Sequence, residues 1–483
     1  MRDLSYSKFF YVLAVLLGSL SGSNGLFAQG GNLHEQSKIY QAPTDPQVKE
    51  KLATWGDQKF GMLIHWGVYA VPGIIESWQI CSEPWLERPE GISYNDYKKW
   101  YWNLSSVFNP VNFDPDQWAD AAADAGMKYV VFTTKHHDGF NMFDTQQTDY
   151  KITNGPFKNH PKANVAKYVF EAFRKKDFMI GAYFSKPDWH SQDFWWDKYA
   201  TPDRNVNYDI RKYPEKWKSF QDFTFNQISE LMHDYGSIDI LWLDGGWVRP
   251  RETVTDEVRA WGAPIPEFSQ EIDMPRIAKM AREAQPGIIF ADRTVHGPYE
   301  NYQTPERSIP ETKLDHPWET NMTLGNNWGY VPNDNFKTSA KVIHSLIEVV
   351  AKGGNMLLGV GPQPDGLLPP DALPILTEIG DWLDTNGEAI YGTHAIDNYH
   401  SEATYFTANN KNTFAITLLT EGEAVPNTVS WEGNLPKKGS SLKLVSTGKK
   451  LNYTIKDNLV TVKLPASVRN AAKAALAFSY KSE

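Results

Sequence analysis

The chain has 483 residues, of which 41% are hydrophobic and 13% aromatic, so it can bury a large core and is expected to hold two domains. Its formal net charge is -10 and its lysines and arginines form no long basic block, which excludes nucleic acid and an anionic membrane surface as natural partners. A content of 18 Trp, 23 Tyr and 24 Phe also excludes a disordered chain.

The first segment of the chain differs from the rest. A basic start, a short apolar stretch and a tail of small residues lie between Lys8 and Gln29, a pattern typical of a secretory signal peptide. The apolar part is too short to span a bilayer, so we expect no membrane span in the mature protein. Residues 1–29 are therefore predicted to be a signal peptide of the bacterial type, and the mature protein to be secreted or periplasmic.

Apolar strands and amphipathic helices alternate through most of the chain. The predicted strands are continuous apolar runs at 60–67, 128–134, 179–185, 238–246, 288–293 and 355–362. The predicted helices lie between them at 114–127, 165–178, 217–236, 274–287 and 338–354, with a closing helix at 373–392. This alternation indicates a parallel sheet covered on both faces. At this length it favours a (β/α)8-type TIM barrel, with irregular units allowed, over a doubly wound open sheet.

The pattern changes beyond Thr393. Segments near 404–420, 441–465 and 474–480 alternate apolar and polar residues and are broken by Gly, Asn and Asp, which is typical of an antiparallel β-sandwich. We therefore predict a catalytic barrel over residues 30–393 and a C-terminal β-sandwich over residues 394–483. We expect the sandwich to be a scaffold packed against the barrel, in preference to a carbohydrate-binding domain.

The carboxyl ends of the predicted strands carry a set of polar and aromatic residues. In a (β/α) barrel these positions surround the active site. The strand ends and the later loops supply His65, Trp66, His136, His137, Asp138, Tyr183, Ser185, Trp242, Asp244, Asp292, Arg293, Glu306, Trp318, Glu319, Trp328 and Tyr330. Aromatic rings suit the C–H faces of a sugar, and the polar groups suit its hydroxyls. The set predicts a sugar pocket, and hydrolysis there requires a pair of carboxyl groups.

Asp244 is the first candidate for this pair. It ends the apolar run "IDILWLD", where a charge is costly unless it faces a polar cavity, and Gly245 and Gly246 leave room for a ligand. The alternative is that Asp244 caps a following helix. Glu306 lies on a loop, where a glutamate is either a solvated surface group or the second carboxyl.

The adjacent histidines His136 and His137 have three interpretations: a metal site, core histidines bonded to backbone, or neutral imidazoles that bind hydroxyls. Adjacent residues on an extended chain point to opposite sides, so both can reach one ion only if the backbone turns there. No cysteine or H-E-x-x-H pattern accompanies them either, so a metal is disfavoured. Each neutral imidazole offers a donor and an acceptor, which favours hydroxyl binding. No metal and no cofactor are predicted.

Seven segments in order resemble the glycoside hydrolase family 29 α-L-fucosidases. They are "WGDQKFGMLIHWGVYAVPG", "KHHDGF", "GAYFSKPDW", "LWLDGGW", "YQTPE", "WET…NNWGY" and "KGGNMLLGVGPQPDG", between Thr54 and Gly366. The resemblance implies a retaining exo-glycosidase that removes terminal α-L-fucosyl residues from oligosaccharides or glycoconjugates. Asp244 matches the family's nucleophile, and Glu306 matches the acid/base of its broader-specificity subgroup.

The resemblance also implies a set of sugar contacts. They are His65, His136, His137, Tyr183, Trp242, Arg293, Glu76 and Trp78. The family often has the last two as an adjacent Glu-Trp pair, whereas Ser77 separates them here. A non-catalytic carbohydrate-binding protein and a metal-dependent hydrolase are the alternatives. The preferred linkage, the aglycone and the oligomeric state stay open.

Overall fold

The computed structural model describes residues 39–482, so the predicted signal peptide lies outside the described residues. Within this range no helix combines the length and the apolar character needed to cross a membrane.

The larger part of the fold is a parallel sheet of seven strands. In chain order these are β1 (Phe60–Ile64), β2 (Tyr129–Lys135), β3 (Met179–Ser185), β4 (Ile240–Asp244), β5 (Ile289–Asp292), β6 (Glu319–Thr323) and β7 (Asn355–Val360). Their spatial order is β5-β4-β3-β2-β1-β7-β6, and every neighbouring pair is parallel. The sequence did not predict β6, because its Glu319, Thr320, Asn321 and Thr323 are polar although the structure buries them.

Helices precede, connect and follow these strands. They are α1 (Pro46–Gln58), α2 (Tyr94–Asn103), α3 (Pro115–Asp124), α4 (Val165–Arg174), α5 (Pro214–Asp234), α6 (Asp256–Ala260), α7 (Met274–Ala284), α8 (Ser339–Ala351) and α9 (Ala372–Asn386). Local signals fix their starts: the Asp114 side chain accepts from the Asp116 amide, and Pro115 occupies the first turn of α3. The amphipathic α4 buries Val169, Phe170 and Phe173 against the sheet.

An irregular segment, residues 300–307, replaces a regular eighth unit and joins the sheet edges β5 and β6. Its backbone bonds to β5 through the Asn301 amide and the Phe290 carbonyl, at 2.8 Å. On the other side, the Glu319 amide of β6 donates to the Gln303 carbonyl of the segment at 2.8 Å. The Arg307 amide of the segment donates to the Asn321 carbonyl of β6, also at 2.8 Å. The predicted barrel is thus confirmed in a form closed by this segment, which carries Glu306.

Large aromatic side chains fill the barrel interior. Tyr129, Tyr183 and Trp242 are buried there together with Leu63 and Leu357. Such residues pack the inside of a barrel as a core and leave the pocket to its carboxyl end.

Two antiparallel sheets follow the barrel. The six-stranded sheet has the order β13-β12-β16-β10-β9-β8, and the three-stranded sheet has the order β11-β15-β14. Their elements are β8 (His394–Ser401), β9 (Thr404–Ala408), β10 (Thr413–Leu418), β11 (Thr428–Glu432), β12 (Leu442–Leu444), β13 (Lys450–Leu451), β14 (Tyr453–Lys456), β15 (Leu459–Lys463), α10 (Ala466–Ala471) and β16 (Ala475–Tyr480). The Trp382 indole of α9 donates to the Ala475 carbonyl at 3.1 Å, which joins this part to the barrel. The boundary at Thr393 and the scaffold role stay predictions.

Two helical glycines predict opposite effects of the same substitution. A Cβ on Gly380 of α9 would lie 1.8 Å from the Asp124 carbonyl oxygen at the end of α3, whereas a Cβ on Gly56 of α1 meets no atom within 4 Å. We expect Gly380→Ala to lower the free energy of unfolding by about 1–3 kcal/mol through overpacking. Gly56→Ala should raise it by about 0.5–1 kcal/mol, because alanine costs less backbone entropy. Denaturant unfolding measures both, and equal signs would contradict the close approach of α3 and α9.

Candidate active site

Asp244 lies at the carboxyl end of β4 and is bound by several donors. The Tyr183 hydroxyl donates to Oδ2 at 2.7 Å, and Arg293 Nη1 and the Gly245 amide each donate to Oδ1 at 2.8 Å. No helix starts directly after it in the described residues, where α6 begins only at Asp256, so Asp244 is not a helix cap.

The Asp244 carboxyl is held in its ionised form. Burial would raise its pKa, but the Arg293 charge, with help from His137, Tyr183 and the Gly245 amide, holds the pKa well below its usual range. A carboxylate that is ionised at every working pH and partly open to solvent can act as a nucleophile.

Arg293 binds both predicted catalytic carboxylates. Its Nη1 donates to Asp244 Oδ1 and its Nη2 to Glu306 Oε2, each at 2.8 Å. Its Nε donates to Thr304 Oγ1 at 3.2 Å, and its guanidinium carbon lies 4.5 Å from the Trp242 ring centre. The guanidinium is rigid and planar, so these contacts fix the two carboxylates side by side.

His137 has a tautomer that its neighbours determine. Its Nδ1 lies 2.6 Å from Ser185 Oγ, and the Ser185 hydroxyl donates to the Pro187 carbonyl at 2.8 Å. Because that hydrogen is committed to Pro187, His137 Nδ1 must carry the hydrogen shared with Ser185. His137 Nε2 is then a free acceptor, 3.7 Å from Asp244 Oδ2. Burial lowers the pKa of His137 to about 3, so the ring is neutral.

The backbone turns at His136, which brings both histidines to the same site. The Gly139 amide donates to the His136 carbonyl at 3.0 Å, and Gly139 has a φ of 78°. The two rings consequently lie 4.3 Å apart. The turn that both rings need in order to reach one point is therefore present, because the strand β2 ends at Lys135.

His136 and His65 complete a group of neutral imidazoles. His136 Nδ1 lies 2.5 Å from Ser77 Oγ, and burial lowers the pKa of His136 well below its usual range. His65 lies with its ring centre 5.4 Å from His136 and 5.2 Å from Tyr183, and burial lowers its pKa to about 3. Its buried Nδ1 has no hydrogen-bond partner in the structure. These rings offer uncharged donors and acceptors, as hydroxyl binding requires.

Glu76 and Trp78 both reach the site, and Ser77 between them does too. Glu76 Oε1 accepts from the Gly329 amide at 2.9 Å, and burial raises the pKa of Glu76 to about 7. The Trp78 ring lies 5.3 Å from that of His137, under the Arg204 guanidinium at 4.8 Å. The residue that interrupts the Glu-Trp pair is thus the one that holds His136.

The aromatic candidates divide into two walls. Trp242 stacks on Tyr183 at 5.2 Å in the barrel interior, and Trp328 packs against the same group. Trp78 belongs to a second wall with Trp189 and Trp247, at 5.3 Å and 5.6 Å. Trp189 and Trp247 were not predicted as site residues, although Trp247 directly follows "LDGG".

Several strand-end residues point away from this site. Trp66 packs against Trp118, Asp138 accepts from the Tyr101 hydroxyl at 2.6 Å, and Asp292 pairs with Lys186. They support the loops behind the pocket. Within residues 39–482, His136, His137 and Asp244 form the group with a spacing that could hold a metal ion.

Comparison with known proteins matches the whole barrel. The family model described as Alpha-L-fucosidase matches residues 27–388, which contain every site residue named above. The plasma α-L-fucosidase of Pongo abelii is 27% identical over 452 residues, which cover 86% of this chain and 86% of the relative. The structure of α-L-fucosidase isoenzyme 1 from Paenibacillus thiaminolyticus is 29% identical, has a TM-score of 0.72, and covers 90% of this chain and 100% of that chain.

A second solved structure shows the same fold. The Thermotoga maritima α-fucosidase in complex with fucose has a TM-score of 0.69 at 24% identity, over 91% of this chain and 100% of that chain. The resemblance found in the sequence is therefore confirmed. The chain belongs to the α-L-fucosidase family, glycoside hydrolase family 29, and is a glycoside hydrolase.

Proposed function

We propose that this enzyme removes terminal α-L-fucosyl residues from oligosaccharides or glycoconjugates by double displacement. Asp244 is the nucleophile and Glu306 is the acid/base. The observation that carries the proposal is the Arg293 guanidinium, which holds one oxygen of each carboxylate at 2.8 Å. A retaining mechanism requires such a close pair, at a separation of about 5 Å.

The reaction proceeds in two inverting steps. In the first, Asp244 Oδ2 or Oδ1 bonds to C1 of the fucosyl unit while the bond from C1 to the glycosidic oxygen breaks. Protonated Glu306 gives its proton to the departing oxygen, and a fucosyl ester of Asp244 forms. In the second, Glu306 takes a proton from water, the water oxygen bonds to C1, and the ester bond breaks. The released fucose keeps its original configuration.

Arg293 also places Glu306 beside the nucleophile in the sugar-free site. Its Nη2 donates to Glu306 Oε2 at 2.8 Å while its Nη1 donates to Asp244 Oδ1 at the same distance. Glu306 gives a proton in the first step and takes one from water in the second, so each turnover returns it to its starting form.

The neutral histidines bind the sugar hydroxyls. His137 Nε2 can only accept, so it receives a hydrogen from a sugar hydroxyl, and His136 and His65 supply further contacts. The apolar wall of Trp242 and Trp328 suits the C6 methyl group of fucose, because it offers no polar partner for a hydroxyl there. Glu306 within "TPE" supports the broader-specificity subgroup.

The mature protein would act outside the cytoplasm. The signal-like pattern of residues 1–29 supports this assignment, and those residues precede the described part of the chain.

The two proposed carboxylate roles predict that azide restores the activity of the two variants with products of opposite anomeric configuration. The substrate is an aryl α-L-fucoside. We expect Asp244→Ala to lose nearly all turnover and to give the inverted β-fucosyl azide, because azide replaces the nucleophile. Glu306→Ala should lose about 10²- to 10⁴-fold in turnover and give the α-fucosyl azide from the glycosyl enzyme. Nuclear magnetic resonance of the products measures the configuration.

The control is Glu311→Ala, which changes an exposed glutamate on the same loop and should keep normal activity. Full activity in either active-site variant would contradict the assignment.

The bond between Tyr183 and Asp244 predicts a second effect. Tyr183→Phe removes the 2.7 Å hydrogen bond to the nucleophile, worth about 1.5–3 kcal/mol, so kcat should fall by roughly 10- to 150-fold. Tyr302→Phe is the matched control, because Tyr302 is also a buried tyrosine of the barrel interior and its hydroxyl has no partner in the structure. Steady-state kinetics on folded protein compares them. An equal loss in both variants would show a packing effect only.

A further inference from the structure

Two imidazoles and one carboxylate of the sugar pocket form a group with the composition of a transition-metal site. One ligand atom from each of His136, His137 and Asp244 lies within 4.8 Å of the others. His137 Nε2 lies 3.7 Å from Asp244 Oδ2. Nitrogen ligands together with one carboxylate are the set that zinc and copper prefer.

The hydrogen bonds behind the histidines leave the correct nitrogens for a metal. His137 donates its Nδ1 hydrogen to Ser185, whose own hydrogen goes to Pro187, so His137 Nε2 has a free lone pair. His136 Nδ1 lies 2.5 Å from Ser77 Oγ, and Nε2 is the ligand atom in the tautomer in which Nδ1 donates to that hydroxyl. Metal-binding histidines in proteins are oriented in the same way, by a partner on the second ring nitrogen. Both serine–histidine pairs, Ser77 with His136 and Ser185 with His137, are buried.

The Asp244 carboxylate presents one of its oxygens, Oδ2, to His137. Arg293 and the Gly245 amide bind Asp244 Oδ1, while Oδ2 faces His137 and receives the Tyr183 hydroxyl. The nearby guanidinium charge opposes a bound cation, so we expect reversible binding that a chelator removes. Magnesium and calcium require more oxygen ligands than this group offers.

We propose that the sugar-binding pocket is also a site for divalent zinc or copper, and that the metal excludes the fucoside. The metal would occupy His137 Nε2, which a sugar hydroxyl requires, and Asp244 Oδ2, one of the two oxygens that can bond to C1. The metal is thus a competitive inhibitor and no cofactor. Its inhibitory effect rests on the proposed fucosidase function, whereas its binding does not.

The test measures binding and inhibition separately. Isothermal titration of the mature protein with zinc chloride should show one bound ion, which saturating L-fucose displaces. In assays with an aryl α-L-fucoside, zinc should raise KM at least tenfold with kcat unchanged, and a chelator should restore the original KM. Magnesium chloride should have no effect in either measurement.

Variants locate the ion. His137→Gln should abolish the heat of zinc binding in the isothermal titration. His394→Asn, which removes an exposed histidine on β8, should leave that heat unchanged. Circular dichroism confirms that both variants are folded. If His137→Gln fails to fold, displacement of zinc by fucose in the unchanged protein decides the question.

Three results would overturn the proposal. They are the absence of zinc binding, zinc binding that L-fucose does not affect, and zinc binding that His394→Asn removes. If zinc increased fucoside hydrolysis and a chelator abolished it, the protein would be a metal-dependent hydrolase, and the proposed mechanism would be overturned as well. Absence of fucoside hydrolysis with intact, fucose-sensitive zinc binding would contradict the proposed function alone.

Discussion

The site depends on one buried cation. Arg293 is 4% exposed and holds Asp244 and Glu306 through adjacent nitrogens of one planar group. Without it, two carboxylates in a pocket with neutral histidines would repel each other, and the pKa of Asp244 would lose the charge that opposes the effect of burial. With it, Asp244 stays ionised and Glu306 has a defined position. Trp242 and Thr304 keep the guanidinium in place, so the barrel interior and the closing segment both contribute to this single contact.

The irregular segment that closes the barrel supplies the second carboxylate bound by Arg293. Asp244 and Arg293 sit at the ends of neighbouring parallel strands, as barrel sites usually do. Glu306 comes from residues 300–307, which bond to β5 and β6 without forming a regular strand. The ends of regular strands therefore position Asp244, the proposed nucleophile, and the irregular segment positions Glu306, the proposed acid/base.

The sequence predicted most of the barrel, since continuous apolar strands and capped helices are local signals. Asp244 was predictable because a charge that ends an apolar run needs a polar cavity. The strand β6 was not predicted, because its buried residues are polar. Glu319 is satisfied by partners distant in sequence, such as the Tyr129 hydroxyl, which donates to it at 2.7 Å. The turn that brings His136 and His137 together is local, since the Gly139 amide donates to the His136 carbonyl. The role of Ser77 depends on a contact with a residue 59 positions away, which no spacing reveals. Glu306 owed its selection to the family resemblance.

The most direct test of the account is to trap the glycosyl enzyme with a 2-deoxy-2-fluoro-α-L-fucosyl donor that has a good leaving group. The fluorine slows both steps, and the leaving group restores the first, so the ester accumulates. Mass spectrometry of the digested protein should find one fluorofucosyl unit on the peptide that contains Asp244. A label on another residue, or rapid turnover of fucosides with no label and inverted product, would contradict the central claim that Asp244, held by Arg293, is the nucleophile.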